Sequence, residues 1–205
     1  MKNQSLIERE VLVLDIKARH VFKSNLHGAG FLLPWAYMDP TVRKRHWDGP
    51  TWAYEKNGRK ATTTIPLTVI LQTGELQYWD VEDTRRGVPT RVGIKQAHAA
   101  AEGVALRMFD QNFINENIVE YRNRRTGYFL LVQQVNRTLT PYENDVLTEL
   151  GTKSRTLGQL CARLPHEEDL VRASVMNLWR EGRVVVPAQT ELIGLNWSVR
   201  RSSNA

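Results

Sequence analysis

A single cysteine, Cys161, occurs in the 205 residues, so the chain can close no disulfide on itself and build no cysteine-cluster metal site. It falls at a core-facing position of a helical pattern, where a thiol serves as a small hydrophobe in a reducing cytoplasm. No apolar run approaches the roughly 20 residues needed to span a bilayer. The start, Met1-Lys-Asn-Gln-Ser-Leu-Ile-Glu8, is too polar for a signal peptide, so no membrane association is expected. A Gly-Lys-Ser/Thr phosphate loop and a Gly-rich dinucleotide turn are both missing, which speaks against nucleotide hydrolysis. No Gly-x-Ser-x-Gly elbow frames a nucleophile. His20, His27, His46, His98 and His166 are scattered without the spacing that zinc requires, and read as surface or locally satisfied side chains. Acid is also in deficit. Asp and Glu number 22 against 28 Lys and Arg, a formal charge of +6 that attracts polyanions, nucleic acid ahead of an anionic membrane surface.

What is present suffices for a core. A hydrophobic content of 41% is ordinary for globular protein, and the length accommodates one domain of usual size plus a small one; only the tail Ser202–Ala205 reads as disordered. The clearest local pattern lies in Leu139–Arg201, where three short helices precede a β-hairpin, the outline of a winged helix-turn-helix. Thr140, Pro141 and Glu143 make a capping box with proline at the first helical position. Val146, Leu147 and Leu150 give that helix its apolar face, and Gly151 ends it. Thr156 caps a second helix carrying Leu157, Leu160, Cys161 and Leu164, stopped by Pro165. Glu167, Glu168 and Asp169 open a third, with Leu170, Val171, Val175, Leu178 and Trp179 at helical spacing and Gly182 closing it. Two strands, 183–187 and 192–199, then form the wing, followed by Arg200 and Arg201. The third helix is the groove-reading element in such folds. Its candidates are Arg172, Ser174, Asn177 and Arg180, and its acidic start favours backbone contacts through Lys153, Arg155, Arg183, Arg200 and Arg201.

Upstream, the pattern reads as a helix from Ser5 to Ile16, then a Gly- and aromatic-rich loop over 25–50. Strands are expected at 51–56, at 60–64 running on to Leu71, and at 75–81, with turns at Asn57-Gly58 and Thr73-Gly74. A helix over 93–104 and a strand over 105–109 follow. That order predicts an α/β domain over 1–128, a mixed sheet flanked by helices, ahead of a winged-helix domain over 129–205. Trp35–Lys60 interleaves Arg43, Lys44, Arg45, Arg59 and Lys60 with Trp47, Trp52 and Tyr54. It is either a surface for phosphates and stacked bases or a solvated loop with its tryptophans packed inward. Arg122, Arg124 and Arg125 form a second basic cluster, which either binds DNA or covers a seam between domains.

Four strings, in this order, carry a resemblance: Ser5-Leu-Ile-Glu-Arg-Glu-Val-Leu-Val-Leu-Asp15, Thr64-Ile-Pro-Leu-Thr-Val-Ile-Leu71, Tyr78-Trp-Asp-Val-Glu82 and Met108-Phe-Asp-Gln-Asn-Phe-Ile-Asn-Glu-Asn117. Over roughly 5–128 the chain resembles the TnsA endonuclease subunit of heteromeric transposases. The resemblance implies a restriction-endonuclease-like fold in which carboxylates on adjacent strands hold a divalent metal beside a lysine. Glu8 takes the place of the family's helix glutamate and Asp80 that of the first acid of its strand motif. Two positions depart. Leu67 stands where the family has an aspartate after proline, and Glu82 stands where it has the lysine. Each change is expected to cost orders of magnitude in rate.

The first functional expectation is therefore a DNA-binding protein of a mobile element with a catalytically degenerate nuclease fold. It would grip duplex DNA and, as the resemblance implies, dock on a transposase and an ATP-dependent regulator in the cytoplasm at the nucleoid. No cofactor is expected in that case. A second is an active endonuclease using Mg2+ or Mn2+ in a cage rearranged around Glu8, Asp80, Glu82 and Asp83. A third is a winged-helix regulator or adaptor, for which a homodimer would be natural.

Overall fold

The structure is a computed structural model, and it describes residues 11–15, 20–24, 29–47, 49–82 and 89–203. The described residues divide into two compact units. One is built on Thr41–Glu116 with Phe22–Ala36, the other on Asn117–Ala205 with Tyr37–Pro40. The division falls at Glu116 and Asn117 rather than after Tyr128, because the helix that follows belongs with the C-terminal unit.

The expected first helix is not formed where it can be seen. Val11–Asp15 (β1) is a strand that pairs with His20–Ser24 (β2) in a two-stranded sheet. A short run of Val and Leu is ambiguous by periodicity, and its β-branched valines prefer extended backbone. The start of that expected helix, Glu8 included, lies outside the described residues. The expected loop over 25–50 instead holds a helix, Ala29–Tyr37 (α1), and a strand, Val42–His46 (β3). Pro34 sits inside α1 and donates no hydrogen bond. The helix persists because Leu32, Leu33, Trp35, Ala36 and Tyr37 are all buried, a tertiary gain that outweighs the local penalty.

Next come Thr51–Lys56 (β4), Arg59–Thr64 (β5), Leu67–Leu71 (β6), Leu76–Val81 (β7), Pro89–Ala101 (α2) and Ala105–Phe109 (β8). The anticipated long strand is broken into β5 and β6 at Ile65 and Pro66. A mixed sheet runs in the order β3-β6-β7-β8, antiparallel except for β7 and β8, which are parallel and joined through α2. This is the α/β arrangement that the element order implied.

Alternation along the strands gives the sheet two distinct faces. Leu67 pairs with Trp79 and Val81 with Phe109, so these side chains share one face. Phe109 meets Trp79 at 5.3 Å, Phe31 at 5.5 Å and Phe113 of the short helix Gln111–Glu116 (α3) at 5.1 Å. The Arg107 guanidinium lies 5.0 Å from the Trp79 ring. The opposite face carries Tyr78 and Asp80 and is covered by α2, with Trp52, Ile65, Tyr78 and Ala99 in one apolar cluster.

In the C-terminal unit, Ile118–Gln133 (α4) precedes Thr140–Leu150 (α5), Arg155–Thr156 (β9), Leu157–Arg163 (α6), Glu168–Arg180 (α7), Val184–Val185 (β10) and Ser198–Arg201 (β11). The strands form one antiparallel sheet ordered β10-β11-β9. The second of the two strands expected in this region, β11, is thus shorter and later than expected and contains Arg200 and Arg201; most of the expected segment 192–199 precedes it as irregular backbone. Thr156 caps α6 with a full capping box to Gln159. The box expected at Thr140 does not form. Leu139 is the N-cap of α5, and the Glu143 side chain turns inward to accept from Asn177 at 2.6 Å. Helix α4 buries Glu120, Asn123, Arg124, Gly127, Tyr128 and Leu131 along one stripe and packs on α7. At Gly127 a Cβ would sit 2.8 Å from the Met38 methyl and 3.3 Å from the Met176 sulfur, so the close approach requires glycine.

Candidate nucleic-acid interface

Strands β3 to β6 make one long hairpin with a bend in the middle. The chain leaves β3 at His46, continues as β4, turns, returns as β5 and re-enters the sheet as β6, where His46 pairs with Thr68. At the bend the Ile65 N–H donates to the Pro50 carbonyl at 3.0 Å. A Cβ on Gly49 would lie 2.3 Å from the Ile65 carbonyl oxygen, so only glycine allows this approach. Six cross-strand pairs from Thr51–Thr64 to Lys56–Arg59 make β4–β5 a two-stranded ribbon of about 20 Å. Asn57 and Gly58 close it with φ of 53 and 70°, the positive values that a tight I′ hairpin demands.

The base of this arm is clamped. Trp52 is buried, its Nε1 donates to Glu102 Oε1 at 2.6 Å, and the Tyr78 hydroxyl donates to Glu102 Oε2 at 2.6 Å. The His98 ring stacks on Trp52 at 5.1 Å. Burial first, then the hydrogen bond to Glu102, pushes the Tyr78 phenol up to about 12. The bonds from Tyr78 and then Trp52 hold the Glu102 carboxyl below its ordinary value.

Lys56, Arg59 and Lys60 are exposed at the tip, where the only acid of the ribbon is Glu55, opposite Lys60. On β3, Arg43 and Lys44 are exposed as well. Arg43 is the extra residue of a bulge between Val42 and Lys44, which frees it from the ladder. Arg45 departs from expectation. Its Nε donates to the Ala36 carbonyl at 2.7 Å, at the electronegative end of α1, so its charge serves the helix terminus.

In the C-terminal unit most of the expected contacts are turned inward. Ser174 is fully buried, so it faces no groove. Asn177 donates to both Glu143 and Glu181. Arg180 donates to the Tyr37 hydroxyl at 2.9 Å, lies 5.0 Å from that ring and pairs with Glu181 at 3.3 Å. Arg172 pairs with Glu168 at 3.3 Å. Helix α7 is held between α4, α5 and α6, and what it exposes at its start is acidic, Glu168 and Asp169. Arg183 lies 3.7 Å from Glu181 and 4.0 Å from Glu143, whose carboxyl is raised chiefly by burial. Arg155 pairs with Glu149 at 3.4 Å. Arg124 is not a surface cation at all; it is buried between Glu120 at 2.7 Å and Asp39 at 3.6 Å. Arg122 and Arg125 are exposed, Arg125 lying 5.7 Å from the Phe129 ring, and Lys153, Arg200 and Arg201 are exposed near β11.

At the position of the supposed metal centre, Asp80 is buried on the α2 face. Its Oδ1 accepts the Val81 N–H at 2.8 Å, and its Oδ2 is ion-paired with Lys95 Nζ from α2. Leu67 is fully buried on the opposite face, level with Trp79, so an acid there would not meet Asp80. Glu82 is half-buried just past β7, its N–H bonded to the Phe109 carbonyl. Glu8 and Asp83 lie outside the described residues. Among the described residues no three His, Cys, Asp or Glu side chains are grouped to hold a metal ion. A hard dication needs several oxygens free of competing cations, and Asp80 against an ammonium does not fit that need.

Lys95 and Glu102 escape a reading of the sequence alone. Lys95 lies on α2 and Glu102 in the turn just past its end, and an inward lysine on an alanine-rich helix is the available signal. No helix among the described residues is long and apolar enough to cross a membrane. No protein-family model matches the sequence, and no curated protein matches it significantly.

Proposed function

We propose that this chain is a duplex-DNA-binding protein of the transposition type, with a TnsA-like nuclease fold that grips DNA and no longer cuts it. The observation that carries the reading is the β4–β5 ribbon, rigid at its base and basic at its tip. A two-stranded ribbon is narrow enough for the major groove, and Lys56, Arg59 and Lys60 at the tip, with Arg43 and Lys44 on β3, have no carboxylate partner among the described residues. The order β3-β6-β7-β8 with α1 and α2 on its two faces is compatible with a restriction-endonuclease-like core. The succession α5-β9-α6-α7-β10-β11 with its three-stranded sheet supports a winged helix. Asp80 neutralised by Lys95, with Leu67 in the core, supports loss of cutting. The partners implied are a transposase and an ATP-dependent regulator, in the cytoplasm at the nucleoid.

The test is fluorescence anisotropy of the full chain on a labelled duplex at several salt concentrations, beside a plasmid nicking assay with Mg2+, Mn2+ and chelator. Binding without nicking is expected. Lys56→Ala/Arg59→Ala/Lys60→Ala should lower the log-affinity against log-salt slope by about 2 to 3, since each phosphate that a cation neutralises adds about 0.9 to it. Metal-dependent nicking would return the chain to the endonucleases, and absence of DNA binding would end the proposal.

A further inference from the structure

We infer that the C-terminal unit holds the DNA backbone on the β9–β11 side of its small sheet, through Lys153, Arg200 and Arg201, and does not read a groove with α7; this rests on the DNA-binding reading above. Charge pairing separates the two surfaces. Seven arginines of this unit each lie within 4.0 Å of a carboxylate, Arg172 and Arg180 of α7 among them. Lys153, Arg200 and Arg201 have no such partner among the described residues.

The strands bring those three together. Thr156 is level with Ser198 and Arg155 with Val199, so extending the antiparallel register puts Ser154 level with Arg200 and Lys153 level with Arg201. Hydrogen bonds agree with that position of Ser154, whose Oγ lies 2.7 Å from Ser198 Oγ and 3.4 Å from the Val199 carbonyl oxygen. Adjacent strands lie about 4.8 Å apart, so the cations are near neighbours. Val199 is fully buried, so alternation turns Ser198 and Arg200 outward. On the other side β10 sets Val185 beside Arg200, and Val185 is 41% exposed. The surface is therefore the exposed end of the β9–β11 pair, with Ser154, Ser198 and Arg200 on its outward side and the exposed Arg201 and Lys153 on the side of Val199.

Like charges on neighbouring strands destabilise a sheet unless something anionic lies over them. The nearest acid in sequence, Glu149, is already shared by Arg155 and Arg163. A phosphodiester fits what remains, since its oxygens accept from guanidinium, ammonium and hydroxyl alike and it demands no pocket. Helix α7 offers the reverse, a covered body and an acidic first turn that repels phosphate.

The experiment compares the full-length wild type, Lys153→Ala/Arg200→Ala/Arg201→Ala and Arg172→Ala by anisotropy on the same duplex across salt. All three cations are exposed, and a thermal melt checks that the variant stays folded. The expected result is a slope lowered by about 2 to 3 in the triple variant and unchanged in Arg172→Ala, with equal losses on duplexes of different sequence. A triple variant that binds with the wild-type slope overturns this inference while the arm-based reading stands. Weakened, sequence-dependent binding by Arg172→Ala overturns it in favour of α7. Failure of the wild type to bind any duplex overturns both.

Discussion

Leu67 stands opposite Trp79 and not opposite Asp80, so the two positions that the resemblance assigns to one metal lie on different faces of the sheet. The register makes this unavoidable, because a strand alternates its side chains and a one-residue offset sends a side chain to the other face. Asp80 is ion-paired with an ammonium from α2, and Leu67 is part of the aromatic core around Trp79 and Phe109.

Restoring the family residues should therefore fail. Leu67→Asp removes a fully buried side chain, worth about 2 to 5 kcal/mol of packing, and buries a carboxylate without a partner at further cost. Leu67→Asp/Glu82→Lys should melt well below the wild type and show no magnesium-dependent nicking. A double variant that melts normally and nicks plasmid would show that position 67 reaches Asp80 in solution.

The Asp80–Lys95 pair invites a double-mutant cycle. Both side chains are nearly buried, 5% and 13% exposed. Lys95→Met leaves a buried carboxylate uncompensated, and breaking such a pair from one side typically costs about 3 to 5 kcal/mol. Asp80→Asn/Lys95→Met removes both charges and should recover most of that loss, since two charges withdrawn from water gain little net over well-packed neutral groups. Urea denaturation of the two singles and the double gives the coupling. If Lys95→Met alone is as stable as wild type, the pair is not closed in solution.

Much of the architecture could be read from the chain, for reasons that are local. β4 and β8 fall where alternation and turn residues put them, Asn57-Gly58 closes its hairpin, and Thr156 caps its helix, a short-range role. The α1 helix was hidden because Gly30 and Pro34 argue locally for a loop, while the burial that decides the matter comes from residues far along the chain. The site was less legible. Arg124 and Arg180 look like free cations in sequence, and only folding supplies their distant partners Asp39 and Tyr37, whereas Arg172 meets Glu168 at i,i+4 on its own helix. Thr140 offered a good cap, but the demand of Asn177 for a buried acceptor drew Glu143 away from it.

The clamp at the base of the arm should leave its mark at both ends of the pH scale. Glu102 is held below its ordinary 4.5 by the Tyr78 and Trp52 hydrogen bonds, so its contribution to stability is present above that value and is lost as pH falls through the lowered pKa. Tyr78 is shifted the other way, from 10.0 to about 12; its contribution is complete below pH 10 and disappears as pH rises toward 12. Melting temperature against pH should therefore fall on both flanks. Tyr78→Phe should remove the alkaline decline that belongs to this phenol and soften the acid one, because Glu102 keeps only the Trp52 bond. Glu102→Ala should reduce both and shift the emission of Trp52 as its indole N–H loses its acceptor. With Trp52 no longer tied to the turn after α2, the duplex-DNA affinity proposed above for the arm should also fall at neutral pH without any change in its own cations. Unchanged pH flanks in Tyr78→Phe would mean that the phenol and carboxyl do not meet in solution.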